Sequence, residues 1–173
     1  MAQATSIIRR KYSNLKSLVG NTITEIDENM LKGITKIRSY AFSNCTSLSS
    51  IEIPNSVTSI SEYVFYGCSN LANVTIPSSV TSIGYGGFYN CTSLTSVTIP
   101  DRVTSISYSA FYNCTSLSSV TVKSSIPPSL GNTAFNNTNQ SLVIYVPAAS
   151  VDAYKSDSSW STHADKIQAI PSE

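Results

Sequence analysis

The sequence predicts a repeat solenoid: parallel β-strands stacked coil on coil, joined by short 3-10 or helical turns, mainly β, with a cap at each end. Three observations predict it. Cys45, Cys68, Cys91 and Cys114 fall at a constant step of 23 residues. The apolar positions around them keep the same step, and a fixed period of that length marks stacked supersecondary units. Charged residues make up only 12% of the chain, while serine and threonine supply 50 of its 173 residues. Polarity therefore comes from hydroxyls, and isoleucine and valine supply much of the core.

Taken in order, residues 1–33 are expected to form an N-terminal cap and attachment segment. Within it Ile7–Leu18 reads as a strand or a basic helix, Asn21–Ile26 as a strand, and Asp27–Gly33 as a capped helical turn ending at glycine. Residues 34–146 carry the repeats. Leu48-x-x-Ile51-x-Ile53 and its copies (Leu71, Val74, Ile76; Leu94, Val97, Ile99; Leu117, Val120, Val122) alternate at their ends like half-buried strands. Pro54, Pro77 and Pro100 stop each strand, because proline cannot donate to the ladder.

A second apolar pair runs back along the opposite side: Val57 and Ile60, Val80 and Ile83, Val103 and Ile106, with Ile126 continuing the valine column. Phe42, Phe65, Phe88 and Phe111 then precede the cysteines in the segment that turns the chain. At parallel-strand spacing, units in register from Ile34 to Ile126 build a stack about 20–25 Å long. After Val122 the repeat degrades. Lys123 replaces the proline, and Phe135 and Leu142 arrive one and two positions late.

Residues 147–173 read as the C-terminal cap. Pro147 opens a helix, Ser158-Ser-Trp160 breaks it, and Trp160 is expected to plug the last rung.

The unit Thr81-Ser-Ile-Gly-Tyr-Gly-Gly-Phe-Tyr-Asn-Cys-Thr-Ser-Leu-Thr-Ser-Val-Thr-Ile-Pro100-Asp-Arg-Val103 resembles the repeat of the BspA-like leucine-rich repeats. The resemblance spans about residues 34–147, and the C-terminal segment is similar to the terminator common after such repeats. It implies a leucine-rich-repeat-like solenoid. It also implies a surface role, since proteins similar to this family are commonly associated with adhesion.

Composition narrows the function further. A net charge of +1 gives no general attraction to nucleic acid. There is no run of 18 apolar residues, so no membrane insertion is expected. The N-terminus places its cations after its apolar residues, so no secretory signal is expected, and synthesis is expected in the cytoplasm. The cysteines lack metal-ligand spacing and a neighbouring histidine, which points to small buried thiols, reduced and unpaired. His163 is the only histidine, and Asp27, Glu28, Glu52, Glu62 and Asp101 are scattered over different rungs. No enzyme, cofactor or metal is expected.

Two surfaces remain. Tyr66, Tyr89 and Tyr112 recur on successive rungs, with Tyr85 and Tyr108 as a second pair nearby. Beside them the outward strand positions carry small polar groups, among them Asn73, Thr75, Thr98 and Thr121. Stacking alone would account for the tyrosines, and plain solvation for the hydroxyls. Tyrosine nonetheless gives a large amphipathic contact at low entropic cost.

The expectation is an interaction or adhesion module, presented in multiple copies on a virion or cell surface and binding a protein or glycan. Attachment or homo-oligomerisation would use the segment before Ile34. The alternative is a purely structural component of a virion, associated with its capsid or tail.

Overall fold

The structure is a computed structural model and describes residues 23–172. The Ile7–Leu18 expectation lies outside the described residues.

Among the described residues, eleven short strands, one short α-helix and two 3-10 segments make up the regular structure. β1 (Glu25–Ile26), β2 (Ser50–Glu52) and β4 (Asn73–Thr75) form one parallel sheet; β6 (Ser96–Ile99), β8 (Ser119–Val122), β10 (Val143–Val146) and β11 (Ile167–Ala169) form another. Together these line the main side of the solenoid. β3 (Ser59–Ile60), β5 (Ser82–Ile83), β7 (Ser105–Ile106) and β9 (Ser129–Leu130) make a continuous parallel sheet on the opposite side. Register follows the repeat: Ile60 lies beside Ile83, Ile83 beside Ile106, and Val97 beside Val120.

The turn between return strand and cysteine contributes a third ladder. Phe42 N–H donates to Val64 O, Phe65 N–H to Gly87 O, Phe88 N–H to Ala110 O and Phe111 N–H to Ala134 O, at 2.8–2.9 Å. The residue before each cysteine sits in the left-handed region: φ is 57° at Asn44, 70° at Gly67, 61° at Asn90 and 58° at Asn113. Only asparagine and glycine occupy that column, the residues that tolerate this conformation best.

Inside, Phe42, Phe65, Phe88, Phe111 and Phe135 stack with ring centroids 5.1–5.5 Å apart. All are buried, as are the four cysteines and the leucines of each coil. The thiols are used: Cys68 donates to Phe42 O at 3.0 Å, Cys91 to Phe65 O at 3.2 Å and Cys114 to Phe88 O at 3.1 Å. Burial pushes Cys68 and Cys114 up to about 12, and Cys91 well above its ordinary value. These are inert packing groups rather than nucleophiles.

Many hydroxyls also serve the stack. Ser56 donates to Ile34 O, Ser61 to Ile37 O and Ser79 to Val57 O, each bond tying one coil to the coil before it. Part of the serine richness is thus structural, meeting carbonyls that the short strands leave over.

The structure departs from the strict repeat at two places, the second of them a correction of the expected valine column. The main sheet is not continuous: no ladder joins β4 to β6, and Val74 is only half-buried where Ile51, Val97 and Val120 are buried. Coils two and three are held together elsewhere, by the opposite sheet, the turn ladder and the phenylalanine stack. Ile126 does not continue the valine column; it is 76% exposed. An extra residue shifts the return strand, so Ile106 pairs with Leu130 rather than with the residue 23 further on.

The space at the end of the stack is closed by the C-terminal segment. A 3-10 turn (Ala148–Ser150) leads into α1 (Val151–Ser156), and a second 3-10 segment (Ser161–Lys166) leads into β11. Trp160 and Tyr154, both buried, meet edge to face at 5.1 Å. Trp160 Nε1 donates to Pro128 O at 2.7 Å, and Tyr154 Oη donates to Ser124 O at 2.9 Å. At the other end Asp27 Oδ1 accepts from Met30 N–H at 2.8 Å, and the turn stops at Gly33, whose φ is 82°. Among the described residues no helix is long and apolar enough to cross a membrane.

Candidate interaction surfaces

The turn ladder brings seven tyrosines to one edge. Tyr66, Tyr89 and Tyr112 lie one coil apart and stack, with centroids 5.2 and 4.8 Å apart and planes 26° and 17° apart. Each is half-buried. Because the rings spend their faces on each other, this half-buried column leaves edges rather than faces to solvent. Asn137 Nδ2 donates to Tyr112 Oη at 3.0 Å, capping the column at one end.

Tyr40 and Tyr63 belong to the same edge, and sequence reasoning missed them. They stack at 4.9 Å, and the step between them is again 23 residues, which was the available signal. Both adopt left-handed backbone, φ 62° and 54°, which is rare for a bulky side chain. Tyr63 also meets Tyr66 and Tyr85 edge to face, at 5.7 and 5.1 Å. Burial first, and then the Tyr85 hydroxyl, raise the Tyr63 phenol to about 12. Tyr85 and Tyr108 are exposed and form no ring pair with each other.

The second surface is the outer face of the main strands. Asn73, Thr75 and Thr98 are exposed and Thr121 is half-buried. Unlike Ser49, which donates to Thr24 O at 2.8 Å, these four side chains make no hydrogen bond within the described residues. An open depression lies where the ladder is interrupted, between Asn73–Ile76, Ser96–Thr98 and Lys123. A second, lined by Glu25, Asp27 and Glu52, adjoins it and shares Asn73 and Thr75. The polar groups of this face are therefore available to a partner.

Among the described residues no three of His, Cys, Asp or Glu gather as a metal would require. His163 lies half-buried in the cap with its ring against Phe135 at 5.8 Å. Burial, and then the Lys166 charge, lower its pKa.

Stacked coils with a strand and a turn at fixed step define a leucine-rich-repeat solenoid. A family model described as the BspA type leucine rich repeat region matches residues 35–157 in six copies, and the chain belongs to that family.

Solved structures are similar to it. A leucine rich repeat protein of T. pallidum is 28% identical with a TM-score of 0.61, over 67% of this chain and 54% of that one. A leucine rich cell surface protein of Faecalibacterium prausnitzii is 26% identical with a TM-score of 0.64, over 87% of this chain and 36% of that one. The pneumococcal vaccine antigen PcpA shares the fold, with a TM-score of 0.62 at 16% identity, over 87% of this chain and 42% of that one. The chain thus spans about half the length of the first relative and about a third of the second. No curated protein matches it by sequence.

Proposed function

We propose that this chain is a non-enzymatic interaction module, displayed in several copies on a cell or virion surface and binding a protein or glycan partner. The observation that carries the proposal is the tyrosine edge. Tyr66, Tyr89 and Tyr112 are fixed at one coil spacing by their stacking, a preordered surface that loses little entropy on binding. The unengaged side chains of Asn73, Thr75, Thr98 and Thr121 extend the contact. The similarity to a leucine rich cell surface protein supports a surface setting.

Each copy supplies modest affinity, and strength comes from holding copies together, which raises avidity without new contacts. The segment before Ile34 would provide that attachment or self-association.

The test is attachment of beads carrying many copies to arrayed glycans and surface proteins. Changing Tyr66, Tyr89 and Tyr112 together to serine should leave the solenoid folded by circular dichroism and remove most attachment. Normal attachment by that variant would show that the column is only a stacking ladder.

A further inference from the structure

A carboxylate and two open tyrosine rings occupy one column on successive coils. The turn ladder fixes this register: Tyr40 N–H donates to Glu62 O at 3.2 Å, Tyr63 N–H to Tyr85 O at 2.9 Å and Gly86 N–H to Tyr108 O at 3.2 Å. One column therefore runs Glu62, Tyr85, Tyr108, and its neighbour runs Tyr40, Tyr63, Gly86. Between the second and third coils the tyrosine changes column. Gly86 permits this, since a Cβ there would come within 2.7 Å of the Tyr63 ring. That ring occupies the vacated space and meets Tyr85 at 5.1 Å with planes 64° apart.

The exchange leaves Glu62 directly one coil from Tyr85. Glu62 is exposed and has no ion pair among the described residues. Tyr85 is 39% exposed with Tyr63 as its ring contact, and Tyr108 is 54% exposed with none. Unlike the Tyr66, Tyr89 and Tyr112 column, these two exposed rings are not stacked on a ring of the same column.

Open aromatic faces attract cations through the ring quadrupole, and an adjacent carboxylate adds its own charge. A guanidinium suits both at once, because its plane can lie against a ring while its N–H edge meets the carboxylate. We infer that Glu62, Tyr85 and Tyr108 form a subsite for an arginine side chain of a polypeptide partner. The inference rests on the interaction-module reading and narrows it from protein or glycan to protein.

The probe is a short peptide, N-acetyl-Gly-Arg-Gly-amide, titrated at low salt while the tyrosine ring signals are followed by NMR. Its counterpart carries citrulline, which is neutral and nearly the same shape. The Tyr85 and Tyr108 signals should move with the arginine peptide and scarcely with citrulline. Affinity should fall roughly fivefold in Glu62→Gln and in Tyr85→Leu, the effect of losing one exposed cation contact. Equal shifts with citrulline, or unchanged binding by Glu62→Gln, would overturn the subsite. If that happens while the Tyr66/Tyr89/Tyr112 variant still loses bead attachment, the module reading stands and only the arginine assignment falls.

Discussion

Replacing Phe88 with alanine strikes the stack at its weakest joint. The side chain is fully buried, with Phe65 and Phe111 each 5.1 Å from its ring centroid. Removing a buried phenylalanine costs about 3–5 kcal/mol, and part of that is the two ring contacts, at roughly 0.5–1.5 kcal/mol each. The upper half of the range is expected, because no main-sheet ladder joins β4 to β6 and this stack carries more of the joint. Folded domains retain only about 5–15 kcal/mol in total, so the variant should lie close to the edge of stability.

Urea denaturation followed by two probes gives the assay. Circular dichroism reports all the coils, whereas emission from Trp160, buried in the C-terminal cap, reports that end. With nearest-neighbour coupling weakened in the middle, the two curves should separate, the Trp160 midpoint falling less. Phe42→Ala, at the end of the column with one phenylalanine neighbour at 5.5 Å, should cost less than Phe88→Ala. A loss below about 1 kcal/mol at Phe88, far under what a buried ring supplies, would refute the packing scheme.

Two other perturbations test the cap and the thiols. Trp160→Phe keeps an aromatic plug but leaves the Pro128 carbonyl without its donor, so it should cost about 1–3 kcal/mol by urea denaturation. An unchanged midpoint would mean that the bond contributes nothing. The thiols make stability depend on alkaline pH. Burial raises Cys68 and Cys114 from 9.0 to about 12, so an unfolded chain ionises these groups before the folded chain does. Their contribution is fully present below pH 9.0 and drains away as pH rises towards about 12. The urea midpoint should therefore fall faster between pH 9 and 11 in the native chain than in a Cys68→Ala/Cys114→Ala variant.

The 23-residue step by itself determined the class of fold, the phenylalanine and cysteine columns, the leucines and the return strands. In a solenoid each side chain packs against its own counterparts on neighbouring coils, so one column of the sequence is also one column of the core. Asparagine or glycine stands before every cysteine, but the left-handed turn that favours those residues there was seen only in the structure. Trp160 could be read as a plug because a lone large aromatic beyond the last repeat has one open apolar surface to cover.

Where periodicity fails, neighbours distant in sequence decide. Ile126 occupies the valine column by position, but one inserted residue redirects the return strand, and Tyr154 and Trp160 from the cap reach the loop backbone that flanks it. The break between β4 and β6 has no counterpart in the sequence, where Val74 and Val97 look equivalent to every other pair. The movement of tyrosine from one column to the next depended on Gly86 giving space to a ring from the coil before. A repeat pattern records which faces are apolar, whereas the filling of a particular space is a competition among side chains that only the folded chain brings together.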